Sequence, residues 1–286
     1  MLATLQRLQT TSVERTEKRQ AEETAKILQM PLPIWPESTR GVPNVALRSA
    51  LFGAIKRGPR RYLSRELVSS VDGYDIRYTG PRLDQSDLDI WEVLLHLARR
   101  QALGNHVEAS ERQLLKEAGR SYGKSGREWL KNVAARLSAT TVEIQQGPHS
   151  YGGSLVDEFY RNDQAGCYVI VLNSRLQLLF TNEDWTQIAW EQRQKLKRQP
   201  LAQWLHGFYS THANPFAMKV ATLHRLSGSE AKKMYHFRAE LRDALACLQG
   251  ATGWSYEIDA NDLVHVHKIP TPSQARYLNK TKEPKD

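Results

Sequence analysis

No stretch of this chain reaches the roughly 18 consecutive apolar residues that a membrane-spanning helix requires, so no such helix is expected. Cysteine is nearly absent. Cys167 and Cys247 stand far apart without CxxC partners, which argues against a structural zinc site or a disulfide framework and fits a reducing compartment. The first residues lack the apolar core of a secretory signal, so a cytoplasmic location is expected. No GxxxxGK[ST] loop occurs, and nucleotide hydrolysis is therefore unsupported. His265-Val266-His267 has the His-hydrophobic-His spacing of a rolling-circle nuclease metal site, but the only tyrosine after it is Tyr277, in an expected tail. Neither an enzyme nor a cofactor is expected.

What the chain does have is length, aromatic residues and unevenly placed charge. Its 286 residues suit two domains, and seven Trp and eleven Tyr can fill real cores. The net charge is +9. Residues 40–65 hold seven basic and no acidic side chains, and residues 191–248 hold ten basic against four acidic. Residues 141–190 are acidic by four. Clustered positive charge points to a polyanion such as DNA or RNA, with solubility alone as the blander reading.

Periodicity then orders the elements. Residues 1–30 read as a helical or flexible arm, and the prolines at 31, 33 and 36 force an extended path after it. Residues 45–55 carry apolar side chains at helical spacing. Asp72-Gly73 between apolar runs predicts a hairpin across residues 62–78. A helix is expected over 86–100 with Ser86 as N-cap, then a short strand, a helix from Ser110 stopped by Gly119, and a third helix through Trp129, Val133 and Leu137. Strands at 140–144, 155–159 and 167–172 follow, the first two separated by a Gly-rich turn. The order recurs: a helix over 193–209 interrupted by Pro200, a short strand, a short helix over 221–226, the turn 227–229, a helix over 230–248 ended by Gly250, and a hairpin around residues 259–262.

This repeated order predicts an α+β chain of two tandem winged helix-turn-helix domains behind an N-terminal helical arm. The expected divisions are 1–30 for the arm, 31–180 and 181–268 for the two domains, and 269–286 for a flexible tail. Candidate DNA-binding residues are Lys56, Arg57, Arg60 and Arg61 on the basic loop, and Arg120, Lys124, Ser125, Arg127 and Lys131 around the first half's third helix. In the second half they are Arg225, Ser229, Lys232, Lys233, His236 and Arg238. Lys and Arg suit phosphates and guanine edges. A solvated helix face is the plainer reading of such residues. The denser basic N-terminal end of the second half marks that half as the main reader of bases.

Several separated segments resemble the TrfA family of plasmid replication initiators. They are Trp35-Pro36-Glu37-Ser38-Thr39-Arg40, Pro43-Asn44, Arg48-Ser49-Ala50-Leu51-Phe52, Tyr78-Thr79-Gly80 and Asn261-Asp262-Leu263-Val264-His265. The resemblance covers residues 30–268. It implies a plasmid-associated bacterial protein that binds repeated sites (iterons) in double-stranded origin DNA, promotes origin opening, and works with the host initiator and replicative helicase. A homodimer is a further expected state. A winged-helix transcriptional regulator is the alternative. The family's clamp-ligand peptide corresponds here to Gln29-Met30-Pro31-Leu32-Pro33, where Gln29, Met30 and Leu32 could contact a sliding clamp but the terminal aromatic is missing. A plain linker reads equally well there.

Overall fold

The structure is a computed structural model that describes residues 32–100, 106–147 and 149–280. The expected arm, with Gln29 and Met30, lies outside the described residues. The described chain mixes helices with short, mostly antiparallel strands.

It begins with β1 (Thr39–Pro43), α1 (Asn44–Leu47) and β2 (Phe52–Gly53). The helix expected over 45–55 stops after one turn. Val45, Ala46, Leu47, Leu51, Phe52, Ala54 and Ile55 are all buried, so the apolar run reflects a path enclosed on every side rather than one helical face. The hairpin follows as β3 (Tyr62–Val68) and β4 (Asp75–Pro81). Next comes β5 (Leu83–Asp84), then α2 (Gln85–Ala98). Its N-cap is Asp84 rather than Ser86: Asp84 accepts the backbone N–H groups of Ser86 and Asp87, and Asp87 accepts that of Asp84, a reciprocal capping box. A carboxylate also suits the positive end of a helix better than a hydroxyl.

β6 (His106–Ser110), α3 (Glu111–Glu117) and α4 (Lys124–Ser138) come next, with Ser110 capping α3 through the Gln113 N–H at 3.0 Å. Then come β7 (Thr141–Gln146), β8 (His149–Gly153), β9 (Val156–Asn162) and β10 (Cys167–Leu172). The expected Gly-rich turn is thus a strand, β8, which completes the sheet β3-β4-β7-β8; β6, β10 and β9 form a second sheet in that order. After a 3-10 helix, Ser174–Glu183, β11 (Trp185–Ala189) returns to pair with β1.

The helix expected over 193–209 is two helices, α5 (Trp190–Lys195) and α6 (Pro200–Ser210). Pro200 takes the first helical position, where its missing N–H costs nothing. β12 (Met218–Lys219), α7 (Val220–Ser227) and α8 (Met234–Thr252) follow, then the hairpin β13 (Ser255–Ile258) and β14 (Leu263–His267). Helix α8 starts four residues later than the periodicity predicts. It ends at Gly253, whose φ of 76° gives the left-handed cap, while Gly250 stays helical. Residues 272–280 of the expected tail form α9 (Pro272–Lys280), where Gln274 Nε2 donates to the Ser210 carbonyl at 2.8 Å.

Buried apolar side chains gather in two clusters. One runs from Leu32 to Ile188, the other from Leu196 to Val266 with Ala54 added from the first half. In α8 the stripe Phe237, Leu241, Ala244, Leu245 and Leu248 is buried. Each of its larger side chains stabilises the fold by about 1.5–3 kcal/mol.

Polar contacts join the two clusters. Arg193, fully buried on α5, sits 2.8 Å from Asp89 and 3.0 Å from Glu92 on α2, and Gln203 on α6 also donates to Asp89. One guanidinium faces two carboxylates. Burial pushes the Glu92 carboxyl up to about 8 despite the pull of Arg193, and the neighbouring Asp89 charge adds to the rise. Trp204 Nε1 donates to the Ser49 carbonyl at 3.0 Å, and Arg48 binds the Thr211 hydroxyl and carbonyl.

The segment that carries the family resemblance is anchored rather than exposed. Trp35 Nε1 donates to His96 Nδ1 at 3.0 Å, and His96 Nε2 lies 2.9 Å from Glu37. The hydrogen bond from His96 and the Arg99 cation hold the Glu37 carboxyl down at about 2. Burial lowers His96 to about 4. Arg40 reaches Glu117 at the end of α3 at 2.8 Å. Of the three clamp candidates Leu32 alone is described; it is only 3% exposed and packs into the first cluster rather than facing outward.

Candidate nucleic-acid interface

In each half a short helix, a tight turn and a longer helix bring basic residues to the surface. In the first, α3 ends at Ala118 and Gly119 takes a φ of 60°. In the second, α7 ends at Gly228, with a φ of 61°. Both positions need glycine because the backbone is left-handed there. Each is also approached closely from outside: a Cβ on Gly119 would fall 1.6 Å from Lys197 Nζ, and one on Gly228 would fall 2.7 Å from an Arg82 nitrogen.

The first half's candidates divide by how firmly they are held. Lys124, Ser125 and Arg127 lie exposed on the first turn of α4, with the Arg127 guanidinium 5.5 Å from the Tyr122 ring. Arg120 is half-buried and stacks over Trp129 at 3.6 Å. Burial lowers its pKa, and the charges of Arg57 and Arg198 push it the same way. Lys131, one turn further along α4, is 4.0 Å from Asp163 at the tip of the β9–β10 hairpin. Asn132 is exposed on the same helix and escaped the charge-based search because it carries no charge.

The second half is arranged differently. Lys232 and Lys233 do not sit on the first helical turn; they lie in the extended turn before α8, and Lys233 is its N-cap residue. Both are exposed. His236 and Tyr235 are exposed on the first turn, with Lys233 Nζ 5.7 Å from the Tyr235 ring. Ser229 accepts the Ala231 N–H within the turn at 3.3 Å, and Arg225 is exposed on the last turn of α7. Arg238 is engaged elsewhere: its guanidinium forms an ion pair with Asp262 in the β13–β14 hairpin, which raises its pKa. His265 is 3.2 Å from Asp259 in that hairpin, and among the described residues no group of three His, Cys, Asp or Glu side chains could hold a metal.

The basic loop between β2 and β3 lies between these two regions. Lys56 reaches Glu240 on α8 at 2.6 Å. Arg60 pairs with the nearly buried Asp84, the N-cap of α2, and Arg61 pairs with Glu66. Arg57 is exposed. Arg82, which the sequence search missed, binds the Gly228 carbonyl at 2.6 Å and Glu230 at 3.0 Å. Lys197, also missed, donates to the Gly119 carbonyl at 2.7 Å. The loop thus touches the second half directly, while Lys197 ties the α5–α6 connection to the first half's turn. Arg82 lies outside both basic stretches, and Lys197 falls inside the second but away from the helices that the search for DNA contacts followed.

Comparison with known proteins places this arrangement in context. A family model described as TrfA protein matches residues 4–268. The plasmid replication initiator protein TrfA of Escherichia coli is 28% identical over 242 residues, which cover 81% of this chain and 62% of that relative. The chain therefore spans about three-fifths of the length of the curated relative it matches. Among solved structures, domains 2 and 3 of RctB superpose with a TM-score of 0.55 at 12% identity, covering 79% of this chain and 96% of that one. A second structure of RctB domains 2–3 gives 0.50 at 11% identity, covering 79% and 97%. At such identities the likeness to RctB concerns the fold alone. No described helix is long and apolar enough to cross a membrane.

Proposed function

The chain belongs to the TrfA family, and from that premise we propose that it is a plasmid replication initiator that binds repeated sites in double-stranded origin DNA. The observation that carries this reading is the reach of the family match, residues 4–268, which takes in both basic helical regions and the loop between them. The relative's description as a plasmid replication initiator supports the same reading. Binding leads to opening of adjacent duplex and recruitment of the host helicase, with a host initiator as helper.

The DNA-binding units in this reading are two winged-helix domains, expected at residues 31–180 and 181–268, with residues 185–189 going to the first through the pairing of β11 with β1. The matching strand orders β6-β10-β9 and β12-β14-β13, both antiparallel, support it. So does the succession of helix, short strand, helix and helix in each half, closed by the hairpins β9–β10 and β13–β14, with β7 and β8 inserted before the first of them. Helices α4 and α8 enter successive major grooves, and their N-terminal residues meet base edges. In this reading the exposed Ser125, Arg127 and His236 meet base edges, and the exposed Lys124, Arg225, Lys232 and Lys233 meet phosphates or bases. Arg60 and Arg238 act in this reading mainly by holding α2 and the second hairpin in place.

The test is footprinting of the full chain on the plasmid segment flanking its gene, followed by probing for unpaired bases after host replication proteins are added. Protected direct repeats next to a newly opened AT-rich stretch are the expected result. Protection without opening would indicate a transcriptional regulator, and no protection would overturn the DNA-binding reading itself.

A further inference from the structure

Each helix-turn-helix turn is held by a cation that the opposite half of the chain supplies. In the first half, the Gly119 carbonyl accepts a hydrogen bond from Lys197 Nζ at 2.7 Å, across 78 residues of sequence. Lys197 follows Leu196, a member of the second buried cluster. In the second half, the Gly228 carbonyl accepts one from an Arg82 nitrogen at 2.6 Å, across 146 residues. Arg82 precedes Leu83, a member of the first cluster. The exchange is reciprocal: a donor from each half meets the turn glycine of the other.

Other contacts at the same turns also cross between the halves. A Cβ on Gly119 would fall 2.2 Å from Gln194 Oε1, and one on Gly228 would fall 2.8 Å from the Ala50 Cβ. The Ala54 N–H donates to the Ser227 carbonyl at 2.7 Å, and Arg82 also meets Glu230, just past Gly228, at 3.0 Å. A cation near a helix C-terminus offsets the dipole of its carbonyls, and a residue of the same half would serve for that. In both turns the donor instead comes from the other half, so the bond also fixes where one turn stands relative to the other. Arg82 is itself confined, with only 16% of its side chain exposed.

We propose that Arg82 and Lys197 set the spacing between the two DNA segments read by α4 and α8, by clamping each turn to the opposite half. This rests on the DNA-binding reading above and deepens it, from which residues touch DNA to what fixes their separation. Each turn leads into its long helix, α4 at Lys124 and α8 at Met234. A turn that cannot slide holds the start of the helix that follows, so both helix starts stand on one frame. DNA turns once in about 10–10.5 base pairs, so a single inserted pair rotates the far segment by about 35°. Readers on clamped turns cannot follow that rotation, and readers on released turns can. Arg82 and Lys197 are thus positioning residues, acting through the glycine carbonyls rather than on bases.

The test compares the full wild-type chain with the Arg82→Met/Lys197→Met variant, which keeps long side chains but removes both donors. Circular dichroism and a thermal melt verify the fold, and the two single substitutions stand in if the double variant does not fold. Binding is titrated on the plasmid's own repeat and on the same repeat with a base pair inserted at the centre of its footprint. In the wild type the insertion should weaken binding by about 5–150-fold, the usual range of coupling between two sites. In the methionine variant that factor should shrink towards one. The Arg82→Lys/Lys197→Arg chain, in which each side chain still donates to its carbonyl, should keep the wild-type factor. An unchanged factor in the methionine variant would overturn the proposal, as would loss of the factor in the Lys/Arg exchange. An equal loss on both duplexes, with a log–log salt slope lower by about two, would also overturn it, because that marks phosphate contacts. A wild type that binds the repeat and tolerates the insertion would overturn the clamp and leave the DNA reading intact. If the wild type binds neither duplex, the DNA reading fails and the clamp falls with it.

Discussion

The two helix-turn-helix regions share an outline and differ in how they hold their cations. Around α4 two of the candidate cations are held, Arg120 stacked on Trp129 and Lys131 near Asp163, while Lys124 and Arg127 are exposed. Around α8 the leading lysines, Lys232 and Lys233, lie before the helix and are exposed, while Arg238 further along is tied to Asp262. A restrained cation loses less freedom on binding and reads one geometry. An exposed lysine in an extended turn adapts to many. The comparison suggests a first half with some pre-set contacts and a second half whose leading cations adjust to the backbone, a division that total charge does not reveal.

The comparison has meaning only while the halves act as one body, and the largest expected effect comes from breaking that. Arg193→Ala leaves Asp89 and Glu92 buried without their cation, which should cost about 3–5 kcal/mol in urea unfolding. Two separate unfolding transitions would mean the halves are independently stable, and a single transition shifted to lower urea would mean they fold together. No loss of stability would show that the buried cluster does not hold the halves.

Next in size is a direct contest between the reading regions. Lys233→Ala should weaken binding to the repeat by about 1–3 kcal/mol and relax preference at one base position if Lys233 reads a base. If it meets only phosphate, the loss is uniform over sequences and the salt slope falls by about one. Lys131→Ala should do less, because Lys131 lies deeper along α4 and faces Asp163. The reverse result, with Lys131→Ala abolishing binding and Lys233→Ala silent in a gel-shift titration, would assign the reading role to the first half.

The smallest effect sharpens the picture of the junction between the halves. The Glu92 carboxyl is raised by burial to about 8, so the folded protein holds a proton that the unfolded chain releases near 4.5. The folded state binds more protons across that interval, and stability therefore falls as pH rises from about 4.5 to 8. Glu92→Gln should flatten the fall, read from urea midpoints at several pH values. An identical pH profile in the variant would mean that Glu92 is ionised in the fold.

Much of the architecture was legible because local chemistry decides it. Ser110 caps α3, Asp72-Gly73 turns the first hairpin, and the 3.6-residue stripe of α8 faces inward, each as residue type and spacing predict. Where prediction and structure differ, a longer-range contact prevailed. The apolar run at 45–55 lost its helix because its surroundings bury it on all sides. The Gly-rich segment after β7 became β8 because β7 offered a free edge to pair with. Lys232 and Lys233 fell outside α8 because the helix starts at Met234, and periodicity marks a helical stripe more sharply than its first turn.

The candidate site divides in the same way. Sequence alone determined that the chain is basic in two separate stretches, that each half carries a tight turn before a long helix, and that several segments resemble one family of initiators. Those properties depend on residue type and short spacing, which a linear reading preserves. Only the tertiary structure decided which cations are free and which are spent on holding the fold: Arg60 on Asp84, Arg238 on Asp262, and Arg82 and Lys197 on the carbonyls of two turn glycines. The last two contacts join segments more than seventy residues apart, and no local rule encodes such distances.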